Sequence, residues 1–159
     1  MKALIVYWHP EPKSFNHAML VTAIEALTAA GNEVQSSDLH AMAFDPVSGR
    51  TNFTTVKNPD YLKPQLEEIH ATEHKGFSQD LEAEMAKVAW CDLMIWQFPL
   101  WWFSVPAVLK GWLDRVVRPG DGRVVHLRDT GFPILDECGR VQRVAGIVPE
   151  RKPCYLCTE

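Results

Sequence analysis

KALIVYWHPEPKSFNHAMLVTAIEALTAAGNEVQSSD, residues 2–38, changes its hydrophobic period twice, and those changes decide the fold. Residues 2–8 are nearly all apolar, as in a strand buried on both faces. The polar loop His9-Pro10-Glu11-Pro12-Lys13 follows. Ser14 is a good N-cap, and the pattern predicts a helix from there to about Ala30. Phe15, Met19, Ala23 and Leu27, with Leu20 and Ile24, recur at three- and four-residue spacing and should share its buried face. Gly31 supplies a left-handed stop, after which residues 33–38 form a second strand. A strand, a crossover helix and another strand make a parallel sheet.

Outward from this unit, Leu39 to Gly76 is longer than an ordinary connection. It carries the turn signals Asp45-Pro46, Ser48-Gly49 and Asn58-Pro59, and one short helix is expected over residues 63–71. Ser78 is placed to cap another helix, with Leu81, Met85, Val88 and Ala89 inward and Asp80 and Glu82 in its first turn. Asp92 to Phe98 reads as the third strand. Pro106 suits the first turn of a further helix that turns Leu109, Trp112, Leu113 and Val116 inward, and Pro119-Gly120 ends it. Val141 to Val148 is a candidate fourth strand, with no fifth after it. The class is α/β, with an open parallel sheet.

The 159 residues, 47% hydrophobic and 23% charged, suit one domain with a single core. A net charge of −4 with scattered Lys and Arg gives no basic field for nucleic acid or an anionic membrane. No apolar run reaches the ~18 residues of a membrane span, so no membrane insertion is expected. Met1 to Trp8 lacks the features of a signal peptide, which makes the cytoplasm the expected location. Four unevenly spread cysteines do not make a disulfide framework, and Cys91 reads as a small core residue.

Open α/β sheets bind ligands outside the carboxyl ends of their strands. Two loops lie there. At the first, Ser14, Phe15 and Asn16 present backbone N–H groups at a helix start, where phosphate oxygens bind, and His9 is able to add a charge-assisted bond. Ser14 as a plain cap and His9 as a solvated loop residue is the other reading. The second loop, Pro99-Leu100-Trp101-Trp102-Phe103, carries three consecutive aromatics, costly in water unless covered. They suit the wall of a flat conjugated ligand, or equally a packed interface. No GxGxxG, Walker loop, HExxH or GxSxG is present. The histidines show no metal-ligand spacing: His70 and His74 are four apart in a polar segment and read as surface helix.

ALIVYWHPEPKSFNHAM (residues 3–19) and FPLWWFSVPAVLKGWLDRV (Phe98 to Val116) together resemble the NAD(P)H:quinone oxidoreductases related to DT-diaphorase. SDLHAMAFDPVSGR (Ser37 to Arg50) and GFSQDLEAEMAKVAWCDLMIWQ (Gly76 to Gln97) fit the same family in order and spacing. The resemblance implies a flavodoxin-like sheet of order 2-1-3-4-5, a homodimer, and hydride transfer from NAD(P)H through FAD, rather than FMN, to a quinone. It assigns His9, Ser14, Phe15 and Asn16 to the FAD phosphates, and Pro99, Leu100, Trp101, Trp102 and Phe103 to the isoalloxazine ring. The family often has Gln where Trp101 stands; Gln65 is a further candidate contact. Ancillary regulatory flavoproteins of membrane transporters share these motifs and are the rival reading.

The likeness covers residues 2–120, which divides the chain into a quinone-reductase unit, 1–120, and an atypical segment, 121–159. The family continues with a lysine-rich turn, a fourth strand, a Thr-Thr-Gly-Gly loop and a Tyr/His pair. Here the sequence reads DGRVVHLRDTGFPILDECGRVQRVAGIVPERKPCYLCTE. This departure predicts a truncated or frameshifted chain, an inactive remnant on the extreme reading, with no catalytic residue assigned. Cys154-x-x-Cys157 is then an accident of frame rather than a metal or redox pair.

Overall fold

In the computed structural model, which describes residues 1–102 and 104–117 and the backbone of residues 130–135 and 141–147, the apolar opening becomes strand β1 (Lys2–Tyr7). It lies between β2 (Glu33–Asp38) and β3 (Leu93–Gln97), parallel to both, so the order is β2-β1-β3. Tyr7 stands opposite Asp38 on one side and Gln97 on the other. Alternate β1 side chains serve different layers, as the pleat dictates. Ile5 and Tyr7 pack with Leu20, Ala23, Ile24 and Leu27 of helix α1 (Phe15–Ala29). Leu4 and Val6 face the larger cluster, with Leu81 of α3 (Gln79–Trp90) and Leu109, Trp112 and Val116 of α4 (Ala107–Val116). Both faces of β1 are covered, which is why its apolar run does not alternate.

Gly31, at φ +80°, ends α1 as expected. Its N–H bonds the Thr28 carbonyl and the Asn32 N–H bonds that of Leu27, so two otherwise bare helix-end carbonyls are satisfied. The buried stripe differs from the expected one at its start. Phe15 is 56% exposed, and Asn16 takes the inward position. A polar side chain is tolerated there because β3 supplies a hydrogen-bond partner. In α3, Ala89 is exposed and the buried position belongs instead to Glu84. Pro106 is the N-cap of α4 rather than a residue of its first turn.

Three buried charged side chains organise the rest. Glu84 accepts hydrogen bonds from Lys87 (2.7 Å) and from the Trp112 indole N–H (2.8 Å). Lys87 also donates to the Ser37 hydroxyl at 3.0 Å, joining α3 to β2. Arg115 of α4 holds the long 39–76 segment and the start of α3: it donates to Asn52 Oδ1 (2.8 Å), to the Asp45 carbonyl and to Asp80 Oδ2 (3.3 Å), and lies over the Phe44 ring. Gly111 allows the close approach; a Cβ there would meet the Pro46 carbonyl oxygen at 2.3 Å.

The short helix expected over residues 63–71 runs further, as α2 (Pro64–His74), and ends on Lys75 in the left-handed region. Its Glu67 caps the preceding loop, accepting the Lys57 N–H at 2.8 Å and the Asn58 N–H at 3.0 Å. Those two bonds hold its carboxyl below the ordinary value of 4.5, against the opposing effect of burial. A depressed folded-state pKa contributes stability above the unfolded value, and that stability is lost as pH falls through the folded one. Glu67→Gln should therefore be less stable than the parent at neutral pH, and the gap should close in the acid range. Urea unfolding midpoints of both chains, measured from neutral pH downward, check this; a gap that stays constant would mean that the carboxylate charge contributes nothing.

The strand expected over Val141–Val148 is present as Val141–Ile147, but it does not extend the parallel sheet. It pairs antiparallel with β4 (Thr130–Leu135), Thr130 opposite Ile147, and is β5 of a separate two-stranded sheet. The preceding strand contains Gly131 and Pro133, residues that argue against a central strand and hid it from the sequence reading. Among the described residues, no helix is long and apolar enough to cross a membrane.

Candidate functional site

Because β1 and β3 are parallel neighbours, their carboxyl ends deliver the two loops to the same edge of the sheet. The Trp8 N–H bonds the Gln97 carbonyl at 3.2 Å, carrying the pairing one residue beyond β1. Gln97 Nε2 then donates to Asn16 Oδ1 at 2.6 Å, which ties the start of α1 to the end of β3. Trp101 meets the Trp8 ring edge-on at 5.1 Å, and the His9 ring at 6.5 Å. His9, Asn16 and Trp101 are thus brought together, as the sequence required of a shared site.

The first loop is held by its own backbone. The Ser14 N–H bonds the Glu11 carbonyl at 3.1 Å, and the Lys13 N–H bonds the Glu11 carboxylate at 2.7 Å. His9 Nδ1 lies 3.0 Å from the Glu11 N–H and 3.2 Å from the Glu11 carbonyl oxygen, which ties the ring to the backbone of the loop. Ser14 is the N-cap, its Oγ accepting the His17 N–H at 3.1 Å. The plain-cap reading is therefore met, but a hydroxyl that accepts still has its own hydrogen to donate. Asn16 likewise uses only its Oδ1 toward Gln97. The first turn of α1 holds no acidic side chain, and the Glu11 carboxylate is bound to the Lys13 N–H, one residue before the cap. Such a terminus attracts anions.

Under the loop lies Tyr7, which is 1% exposed. Burial raises its phenol pKa and Asp38 pushes the same way, while the Ser14 hydroxyl opposes them. A neutral phenol does not compete with an anion for the helix terminus.

In the second loop Pro99 is buried and Leu100 half-buried. Trp101 and Ser104 exchange backbone hydrogen bonds of 3.2 and 3.0 Å, closing a tight turn. Trp102 stands on it at φ +49° and 94% exposed. A left-handed backbone costs a bulky residue about 1–3 kcal/mol. Together with Phe15 and the 45% exposed Trp101, it leaves apolar rings in water at this edge. Phe103 lies outside the described residues. Gln65 is exposed in the first turn of α2, and no described contact joins it to either loop.

Two participants escaped the sequence reading, Trp8 and Gln97. Gln97 carried a signal: a polar side chain at the carboxyl end of an otherwise apolar parallel strand points to the ligand edge. Trp8 looked like one more apolar strand residue.

Residues 1–131 match the family described as Flavodoxin-like fold. Ribosyldihydronicotinamide dehydrogenase (quinone) of Rattus norvegicus is 47% identical over 133 residues, covering 82% of this chain and 58% of that protein. NAD(P)H dehydrogenase (quinone) 1 of Cavia porcellus is 46% identical over 120 residues, 75% of this chain and 44% of that protein. A solved structure from Klebsiella pneumoniae, assigned as a quinone reductase, superposes with a TM-score of 0.70 at 44% identity, over 73% of this chain and 45% of that one. The chain spans between 44% and 58% of the length of these two curated relatives.

Proposed function

The chain belongs to the flavodoxin-like fold family, and from that premise and its likeness to the quinone dehydrogenases we propose that it serves two-electron reduction of a quinone by NAD(P)H through a bound FAD. The observation that carries this reading is the junction of the two loops through Asn16–Gln97 and Trp8–Trp101. It joins an anion-binding helix start to an aromatic wall, the two surfaces a flavin nucleotide needs.

In this reading the Ser14 hydroxyl, the Asn16 side-chain amide, the first-turn N–H groups of Phe15 and Asn16, and His9 hold the phosphates. Pro99 to Phe103 line the ring, with backbone N–H groups toward its polar edge. Bound flavin supplies a two-electron relay between a reduced nicotinamide and a quinone. The protein's own work is to fix that ring, keep water from it and leave one face open for donor and acceptor in turn. A second copy of the chain covers Phe15 and Trp102, which accounts for large apolar rings exposed on one edge. Residues 1–120 form the flavin-binding unit, acting in the cytosol, where reduced nicotinamides are kept.

Titration of the purified chain with FAD and with FMN, read by flavin fluorescence, tests the binding half. Saturable binding with FAD preferred is expected. Absorbance at the reduced-nicotinamide band, with menadione as acceptor, tests turnover with NADH, NADPH and ribosyldihydronicotinamide. A chain that binds neither flavin would sink the proposal.

A further inference from the structure

A cluster unrelated to the flavin edge lies on α2. We infer that His70, Glu73 and His74 form a surface site for a borderline divalent ion such as Zn2+, Ni2+ or Cu2+. The segment His70-Ala71-Thr72-Glu73-His74 places three candidate ligands at positions i, i+3 and i+4. The helix expected to stop at residue 71 in fact continues to His74, and that extra turn puts all three on one face. Their ligand atoms lie within 4.8 Å of one another, and the two imidazole rings are 4.1 Å apart.

One hydrogen bond turns proximity into a candidate site. His74 Nδ1 lies 2.8 Å from the His70 carbonyl oxygen, which only accepts, so the ring nitrogen must be the donor. That assigns the hydrogen of His74 to Nδ1 and leaves the Nε2 lone pair for a metal. A ring N–H tied to a backbone carbonyl is the usual second-shell support of a metal-bound histidine. Tetrahedral bonds of about 2.1 Å put neighbouring ligand atoms roughly 3.4 Å apart. The ligand atoms, already within 4.8 Å of one another, need only draw closer, which rotation of these side chains allows. Glu73 and His74 are exposed and His70 half-buried, so an ion enters without opening the fold and keeps water as its fourth ligand.

The ion would join the last two turns of α2 just before its left-handed end at Lys75. That end is where the Gly76 N–H bonds the Ala71 carbonyl and the Thr54 N–H bonds the Gly76 carbonyl. All three ligands belong to α2, so the ion would brace the end of the helix itself, beside the pairing that closes the long 39–76 segment. Two imidazoles and one carboxylate favour Cu2+ over Ni2+ and Zn2+, and give Mg2+ no reason to bind.

The test is calorimetric titration of the untagged, chelator-treated chain with Zn2+ alone. One ion per chain is expected, with a rise in melting temperature and no heat from Mg2+. His70→Ala and His74→Ala should each weaken binding by at least about tenfold, the double variant should abolish it, and Glu73→Gln should weaken it less. Circular dichroism confirms that the variants stay helical. The Cu2+ form should show electron-paramagnetic coupling to two imidazole nitrogens, a signal independent of flavin and of turnover. Zn2+ binding that survives in the double variant would move the site elsewhere, to the cysteines for instance, and overturn the assignment. Absence of binding in the parent chain would overturn it outright.

Discussion

Replacing Ser14 and Asn16 together by alanine is expected to weaken flavin binding by at least about a hundredfold while α1 remains folded. A hydrogen bond to a charged group is worth about 1.5–3 kcal/mol, and about 1.4 kcal/mol is tenfold in affinity. Two such bonds to phosphate are at stake, from the Ser14 hydroxyl and the Asn16 amide. The substitution also removes a cap, because Ser14 Oγ holds the His17 N–H, and cap loss costs about 0.5–2 kcal/mol of stability. A small fall in melting temperature is thus part of the expected result. Gln97→Ala separates the causes. It breaks the 2.6 Å link to Asn16 but leaves both proposed phosphate donors, so it should weaken flavin binding far less than the double variant. If the double variant titrates with FAD as the parent does, Ser14 is a helix cap and nothing more, and the anion site lies elsewhere.

Several features of this molecule were open to reading from sequence because each rests on neighbours close along the chain. The β-α-β unit of residues 2–38 is one, since an unalternating apolar strand, a capped amphipathic helix and Gly31 are local signals. The inward stripe Leu109-Trp112-Val116 is another. The position of the two ligand loops followed from strand parallelism alone, and the structure puts them together.

What escaped depended on partners far away in sequence. Glu84, Glu67 and Arg115 look like surface charges by composition, yet all three are buried. Glu84 is buried because Trp112 reaches it from 28 residues away, and Arg115 because Asn52 does so from 63. Phe15 shows the converse error. Its spacing fits the apolar stripe, but Asn16, bonded to Gln97 of β3, takes the inward position and Phe15 is 56% exposed. The four-residue spacing of His70 and His74 is legible in the sequence, but in a polar segment it reads as plain surface helix, and the structure adds Glu73 beside them.

Trp112→Ala should produce the largest loss of stability. The side chain is 0% exposed and packs in the cluster shared by β1, α3 and α4. Truncating a buried Trp costs about 3–5 kcal/mol through lost burial and the cavity left behind. A second penalty comes from Glu84, whose Oε2 loses the indole N–H at 2.8 Å while remaining fully buried. An unsatisfied buried acceptor costs about 1–3 kcal/mol, more when charged. Lys87 still pairs with Oε1, so the carboxylate is not wholly stranded. Against a total stability of about 5–15 kcal/mol, the sum is enough to leave the domain marginal. The melting temperature should fall by on the order of 10–20 °C for a chain of this size. Trp112→Phe divides the two causes, since it restores most of the apolar volume and none of the hydrogen bond. It should lie between parent and alanine variant, and adding Glu84→Gln should recover part of the remaining deficit by removing the buried charge. Urea unfolding of the four chains measures this directly. If Trp112→Phe matches the parent, the indole–carboxylate bond contributes nothing, and Glu84 is held by Lys87 alone.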